Sequence, residues 1–327
     1  MLSSPSIDLS IIIPTFNVIE FIEELIVSMY RKLASTRFEF EVFFVDDGSF
    51  DGTIDILEKY EKKKSNFYFL TTAGEKGAGY ARNMAIPLVE GRFVYFADSD
   101  DTYDFQELLR AVNFAKTHNK DLLLFPYKME YITPKKSKIG GMMQNDVETW
   151  EKAKSSALNQ ENLKQFALEL TGYPWKQLTC STLMSNADSF FGPTSVHNDI
   201  NFHWLSVAQS ENMHFYEFPV PTHRKFNNGL RSQISQIKSE IRLRLFDAVA
   251  LTQRALARLG VFENGSKGAK MLGRWENFSK ALFQWGSSRV PESVVEKYQI
   301  IQADFYQTFD DAKENPKVLR TWTKKEY

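Results

Sequence analysis

The run Phe96-Ala97-Asp98-Ser99-Asp100-Asp101 closes the apolar stretch Phe93-Val94-Tyr95 with three carboxylates. Asp98 and Asp100 have the same parity on an extended backbone, so both can point toward one ion. Oxygen-only ligands suit Mg²⁺ or Mn²⁺, ions commonly shared with a substrate's phosphates. The same acids also suit the start of a helix near Asp104, where negative side chains complement the helix dipole. A second cluster, Asp46-Asp47-Gly48-Ser49, precedes Asp51-Gly52-Thr53. Carboxylates at such a turn accept hydrogen bonds from ribose hydroxyls or a base N–H, and they serve equally as caps and turn residues. A third, Gly74-Glu75-Lys76-Gly77-Ala78-Gly79-Tyr80-Ala81-Arg82-Asn83, is neither a dinucleotide fingerprint nor a P-loop. Its glycines allow a tight loop from which Lys76 and Arg82 can reach a nucleotide; a capped helix with a surface arginine fits it as well.

The elements that must position these residues alternate over the first 125 positions. Apolar runs at Leu9–Ile13, Glu41–Val45, Phe67–Leu70, Phe93–Ala97 and Leu122–Phe125 read as strands. Helices are expected between them, over Val18–Leu33 (with Ile19, Ile22, Ile26, Met29 and Leu33 on one face), from about Thr53 to Lys63, from about Gly79 to Leu88, and over Phe105–Thr117. This alternation predicts an α/β fold with a mostly parallel sheet, and ligands of such sheets sit beyond the carboxyl ends of the strands. Pro14-Thr15-Phe16-Asn17, Asp46 to Ser49 and Asp98 to Asp100 then share one rim. Residues 126–160 lose the periodicity and read as an excursion over the surface. From Ile234 the pattern is helical, with Ile241, Leu245, Val249, Leu256 and Leu259 on one face before Gly260, then a second helix carrying Trp275, Phe278, Leu282 and Trp285.

The chain has 327 residues, 43% apolar and 25% charged, the composition of a soluble globular protein. One cysteine, Cys180, excludes a disulfide framework and fits a reducing compartment. No stretch approaches the ~20 apolar residues of a membrane span, and a cytoplasmic location is expected. Residues 238–327 hold 16 Lys and Arg against 11 Asp and Glu, a net +5 in a chain of net −1. That surplus suits an anionic partner or a solvated helical face.

Four motifs in order carry a resemblance: Ser10 to Asn17, Val45 to Ser49, Gly79 to Asn83, and Asp98 to Asp101. Across roughly the first 105 residues the chain resembles the inverting family 2 glycosyltransferases of the GT-A fold. The resemblance implies a Rossmann-like sheet flanked by helices and a nucleotide-sugar donor, usually a UDP-sugar. It implies that Pro14, Thr15, Phe16, Asn17 and Asp47 line the base pocket, that Asp98, Ser99 and Asp100 hold ribose and metal, and that Arg82 touches the nucleotide. The family's catalytic base is matched by Asp199, with Asn198 where a Glu is common; Asp199 also suits an N-cap of a helix over Phe202–Ala208. His223 and Arg224 stand where the family supplies a His or Tyr and an Arg near the diphosphate.

Residues 1–233 are therefore expected to form the catalytic domain, with a nucleotide-sugar half (1–125) and an acceptor half (126–233). Residues 234–327 form a helical extension, expected as a cap, with dimerisation, membrane-surface contact and acceptor binding as other uses. The expected reaction is transfer of one sugar to a hydroxyl of a glycan, lipid-linked or polymer acceptor in surface polysaccharide biosynthesis, with the inner membrane face as a further location. No nucleic acid is expected as a partner. The alternatives are a nucleotidyltransferase that makes sugar nucleotides and a silent binding module of the same fold; intact Asp98, Asp100 and Asp199 argue against the second. Single transfer is favoured over polymerisation because Q-x-x-R-W and flanking membrane spans are absent from these residues.

Overall fold

The computed structural model describes residues 7–33, 38–74, 76–155, 159–184, 190–226, 238–263 and 265–321. In chain order its elements begin β1 (Leu9–Thr15), α1 (Ile19–Leu33), β2 (Phe40–Asp46), α2 (Thr53–Glu61), β3 (Phe67–Thr71), α3 (Ala78–Ala85) and β4 (Phe93–Phe96). Then follow β5 (Thr102–Tyr103), α4 (Phe105–Thr117), β6 (Leu122–Leu124), β7 (Lys128–Thr133), β8 (Lys136–Gly140), α5 (Gln144–Ser155) and α6 (Gln160–Glu169). The remainder comprises β9 (Gln177–Cys180), α7 (Asp199–Gln209), β10 (Met213–Phe215), β11 (Pro221–Phe226), α8 (Arg244–Arg258), α9 (Gly265–Ser287) and α10 (Val295–Glu314).

Seven strands form the main sheet in the order β10-β6-β9-β4-β1-β2-β3. All pairings are parallel except those of β9, which runs antiparallel to both neighbours. Every residue of β1, β2 and β4 is buried, which is why these strands read as mostly apolar runs, broken by Ser10 and Glu41, which hydrogen-bond each other. One face of the sheet takes α1 and α4, through Ile22, Leu25, Ile26, Met29 and Leu33 of α1. Each such side chain contributes about 1.5–3 kcal/mol on burial. Ile19, expected on that face, is instead 43% exposed, because α1 begins there on the rim.

The stretch 126–160 departs from the expected surface excursion. It supplies β7, β8 and α5, and Tyr127, Met129 and Trp150 are buried. β7 and β8 join β5 and β11 in a second sheet, ordered β5-β11-β7-β8. β8 is largely exposed along its length. Asp104 caps α4 by accepting from Glu107 N, so Asp98 and Asp100 are not spent on that helix start.

The C-terminal helices continue the same core. Leu245, Phe246, Val249 and Leu256 of α8 are buried with Trp204 and Leu205 of α7, and Trp275 of α9 meets Trp204 edge-to-face at 4.7 Å. Leu259 lies at the end of that apolar face and is 42% exposed, while Gly260 takes the left-handed conformation (φ 70°) that ends α8. Among the described residues no helix is long and apolar enough to cross a membrane.

Candidate functional site

The site grows from the carboxyl ends of β1, β2 and β4. Asp46 ends β2 fully buried and accepts from Thr15 Oγ1 (2.9 Å), Gly48 N (3.0 Å), Ser49 N (2.7 Å) and Ser49 Oγ (2.6 Å). This welds the end of β1 to the turn after β2. Asp47, the next residue, accepts from Thr72 Oγ1 (2.5 Å), Lys76 N (3.0 Å) and Gly77 N (2.7 Å), and so shapes the loop entering α3. Gly48 has φ 92°, and a Cβ there would sit 3.1 Å from Gly74 Cα, so both strain and space require glycine.

Helix α3 reaches across the site. Arg82, almost fully buried, donates from Nη2 to Asp98 Oδ1 (2.5 Å) and from Nη1 to Asn198 Oδ1 (3.4 Å). Asn83 exchanges two hydrogen bonds with the backbone of Phe191. A Cβ on Gly79 would lie 2.6 Å from Asn198 Cβ, so glycine lets α3 approach the start of α7. The outcome is a cavity of about 630 Å³ whose lining includes Pro14, Thr15, Phe16, Val18, Asp47, Gly77, Ala78, Arg82, Asp98, Ser99, Asp100 and Ser195.

Eight of the residues singled out in the sequence thus meet in one cavity: Pro14, Thr15, Phe16, Asp47, Arg82, Asp98, Ser99 and Asp100. Asn17 stands just outside that lining and braces the loops, donating its N–H to Ser49 Oγ and accepting from Phe50 N through Oδ1. Lys76 is exposed and reaches Asp47 through its backbone N–H. Asp199 opens α7 as its first helical residue; it is not the N-cap, a place taken by Asn198. Burial pushes the Asp199 carboxyl up to about 6, against the pull of Arg82.

His223 and Arg224 go elsewhere. His223 Nδ1 lies 3.0 Å from both oxygens of buried Asp101, and its ring stacks on Trp175 at 5.4 Å. Burial opposes charge on that imidazole, but Asp101 outweighs it and raises the His223 pKa. The structure does not bring the Arg224 side chain into the cavity. It pairs with Glu24 (3.1 Å) and Glu130 (3.4 Å), because β11 lies between β5 and β7 and turns that residue toward α1.

Sequence reasoning passed over Ser195 and Lys176, and it named Asp101 and Asn198 without giving either a role in the site. Lys176 is 1% exposed, and its Nζ has no hydrogen-bond partner among the described residues. Burial lowers its pKa to about 8, while Asp146 and Asp199 raise it. Nothing local in Pro174-Trp175-Lys176 announces its burial.

For a divalent cation the donors on offer are the carboxylate oxygens of Asp98 and Asp100, beside Ser99 on the cavity wall. No group of three His, Cys, Asp or Glu suited to a metal exists among the described residues. Two hard oxygen ligands fit Mg²⁺ or Mn²⁺ when a phosphate-bearing ligand and water complete the shell.

Residues 10–168 match the sequence profile described as Glycosyl transferase family 2. That match covers just under half of the 327-residue chain. Staphylococcus aureus TarS, a poly(ribitol-phosphate) β-N-acetylglucosaminyltransferase, is 40% identical over 119 residues, 36% of this chain and 21% of TarS. The poly(ribitol-phosphate) β-glucosyltransferase of Bacillus spizizenii is 36% identical over 117 residues, 36% of this chain and 18% of that protein. Escherichia coli WfaP, a UDP-Glc:α-D-GlcNAc-diphosphoundecaprenol β-1,3-glucosyltransferase, is 32% identical over 123 residues, 38% of this chain and 46% of WfaP. The matched segments therefore span less than half of each relative.

Among solved structures, S. aureus TarS 1–349 in complex with UDP-GlcNAc superposes with a TM-score of 0.57 at 22% identity, covering 95% of this chain and 92% of that one. The mannosyltransferase PcManGT of Pyrobaculum calidifontis, in complex with GDP-Man and Mn²⁺, gives 0.50 at 13% identity, with 98% and 90% covered. These likenesses establish the GT-A fold of this chain.

Proposed function

We propose that this chain transfers a single sugar, with inversion, from a UDP-sugar to a hydroxyl of a glycan, lipid-linked or polymer acceptor, in surface polysaccharide biosynthesis on the cytoplasmic side. The observation that carries the reading is the cavity in which Asp47, Arg82, Asp98 and Asp100 converge at the carboxyl edge of the sheet. The three family relatives are named for sugar transfer to such acceptors, and one is named for a UDP-sugar donor.

In this reading Pro14 to Phe16 and Asp47 receive the base, and Asn17 holds their loop. Asp98 and Asp100 hold Mn²⁺ or Mg²⁺, which when bound neutralises charge on the diphosphate leaving group. Arg82 keeps the Asp98 carboxylate in place and its charge near the leaving phosphate. Asp199 takes the proton of the acceptor hydroxyl as its oxygen attacks the anomeric carbon. A pKa near 6 leaves it ionised at neutral pH yet a stronger base than an ordinary carboxylate. Holding both substrates in line supplies much of the rate. His223 acts by anchoring Asp101 behind the metal-holding pair, Lys76 beside Gly77 reaches toward the nucleotide, and Arg224 stays paired with Glu24 and Glu130 unless ligand draws it in.

The catalytic unit is taken to end at 233, within residues 227–237 that lie outside the described ones, and helices α8 to α10 cap it. Incubation with a panel of UDP-sugars, Mn²⁺ and hydroxyl acceptors, with the product's anomeric configuration read by NMR, tests the reading. Transfer with inversion supports it; formation of pyrophosphate from nucleoside triphosphate and sugar phosphate would replace it with a nucleotidyltransferase.

A further inference from the structure

Phe50 is the most exposed large apolar side chain among the described residues, at 84%, and it stands beside Phe16 of the cavity wall. Its ring meets Phe16 edge-to-face, with centroids 6.3 Å apart and planes at 80°. Phe16 lines the cavity and is itself 48% exposed. The loops bearing the two rings are locked together. Asn17 N donates to Ser49 Oγ (2.8 Å), Phe50 N to Asn17 Oδ1 (3.0 Å), Val18 N to Thr53 Oγ1 (3.0 Å) and Ile19 N to Asp51 Oδ2 (3.0 Å). Asn17 takes a left-handed φ of 51° to complete this brace.

Folding gains almost nothing from the Phe50 ring, because so little of it is buried. A pair of aromatic rings on braced loops, one of them lining the cavity that also carries Asp98 and Asp100, matches a ligand with one flat π-rich end and one anionic, metal-bridged end. A nucleotide has that shape. We propose that Phe50 is a second aromatic wall of the nucleotide site, set against Phe16, and that it stacks on or edges the base of the donor nucleotide. The inference rests on the nucleotide-donor reading and adds a residue outside the four family motifs. Pre-ordered loops keep the cost of binding low, since the rings need little further immobilisation. Base–aromatic stacking tolerates any base, so Phe50 contributes affinity and leaves base choice to polar groups deeper in the cavity.

Titration calorimetry with UDP and Mn²⁺ tests this on wild type, Phe50→Ala, Phe50→Leu and Phe50→Trp, with pyrophosphate and Mn²⁺ as the comparator ligand. Phe50→Ala is expected to weaken UDP binding about tenfold, with an unchanged melting temperature and unchanged pyrophosphate binding. Phe50→Trp should hold the wild-type affinity, and Phe50→Leu should fall toward alanine. Wild-type UDP affinity in Phe50→Ala, or equal losses for UDP and pyrophosphate, overturns the role of Phe50 and leaves the donor reading standing. A wild type that binds pyrophosphate but no nucleoside diphosphate any more tightly overturns both.

Discussion

Arg82 Nη2 and Asp98 Oδ1 lie 2.5 Å apart, joining α3 to the end of β4 where the sheet opens onto the cavity. The guanidinium is 5% exposed and the carboxylate 30%, so the pair is shielded on the arginine side and open on the other. Arg82 also reaches Asn198, the residue before Asp199. One side chain therefore joins the proposed metal-holding acid to the residue before the proposed base, whose carboxylate its charge also favours. A lysine would keep the charge but lose the forked reach. Arg82→Lys is expected to lower kcat/KM for sugar transfer at least about tenfold while the fold persists, as measured by steady-state transfer and circular dichroism.

Asp199→Asn should lower kcat by about 10²–10⁴ with UDP binding retained, measured by transfer assay and calorimetry. In wild type the acidic limb of kcat/KM should fall as pH drops through about 6, where the base takes up its proton.

The same residue makes a stability prediction of definite sign. Burial raises the folded pKa of Asp199 to about 6, above the unfolded value of about 4. The native state thus holds the proton more tightly, and the stability from this group is present below about pH 4 and lost as pH rises through about 6. A neutral Asn escapes that loss. Asp199→Asn should be more stable than wild type at pH 7.5, by up to about 2 kcal/mol, and the difference should vanish near pH 4. Paired urea titrations at the two pH values measure it.

At the opposite end of the sheet, Gly91 N donates to Ser10 Oγ (2.9 Å), and Ser10 Oγ donates to the buried Glu41 Oε1 (2.5 Å). A Cβ on Gly91 would lie 2.4 Å from Ser10 Oγ and 2.5 Å from Ser10 N. Gly91→Ala should cost about 1–3 kcal/mol without touching the cavity. Its melting temperature should drop while Kd for UDP stays constant.

Trp275 is fully buried against Trp204 and donates from Nε1 to Gln253 Oε1 (3.2 Å). Trp275→Ala should destabilise the chain by about 3–5 kcal/mol. Unfolding followed by tryptophan fluorescence and by far-UV circular dichroism should shift together, because α9 shares the core of the sheet.

Much of this architecture is legible in the residues. Leu9–Ile13 and Phe93–Phe96 announce themselves as strands because both faces are buried, and the rim acids stand where those strands stop. The antiparallel insertion of β9 is not legible. Gln177 and Thr179 face the interior on this strand, and Gln177 is accommodated by a hydrogen bond to His203, so the apolar run that marks the other strands is missing. Helix α5 hides for a similar reason. Its buried Asp146 accepts from Tyr127 and Thr171, partners distant in sequence that no local pattern predicts. Arg224 follows the motif in sequence but not in space, since Glu24 and Glu130 hold it outside the cavity.

The central claim is a metal-assisted nucleotide site built on Asp98 and Asp100, and the most direct measurement is thermal stability with UDP, with and without Mn²⁺, for wild type and Asp100→Ala. Ligand binding to the native state raises the melting temperature by mass action. The account predicts a rise of several degrees that needs Mn²⁺ and is lost in Asp100→Ala. No rise with UDP or any other nucleoside diphosphate, in the presence of Mn²⁺, would contradict it.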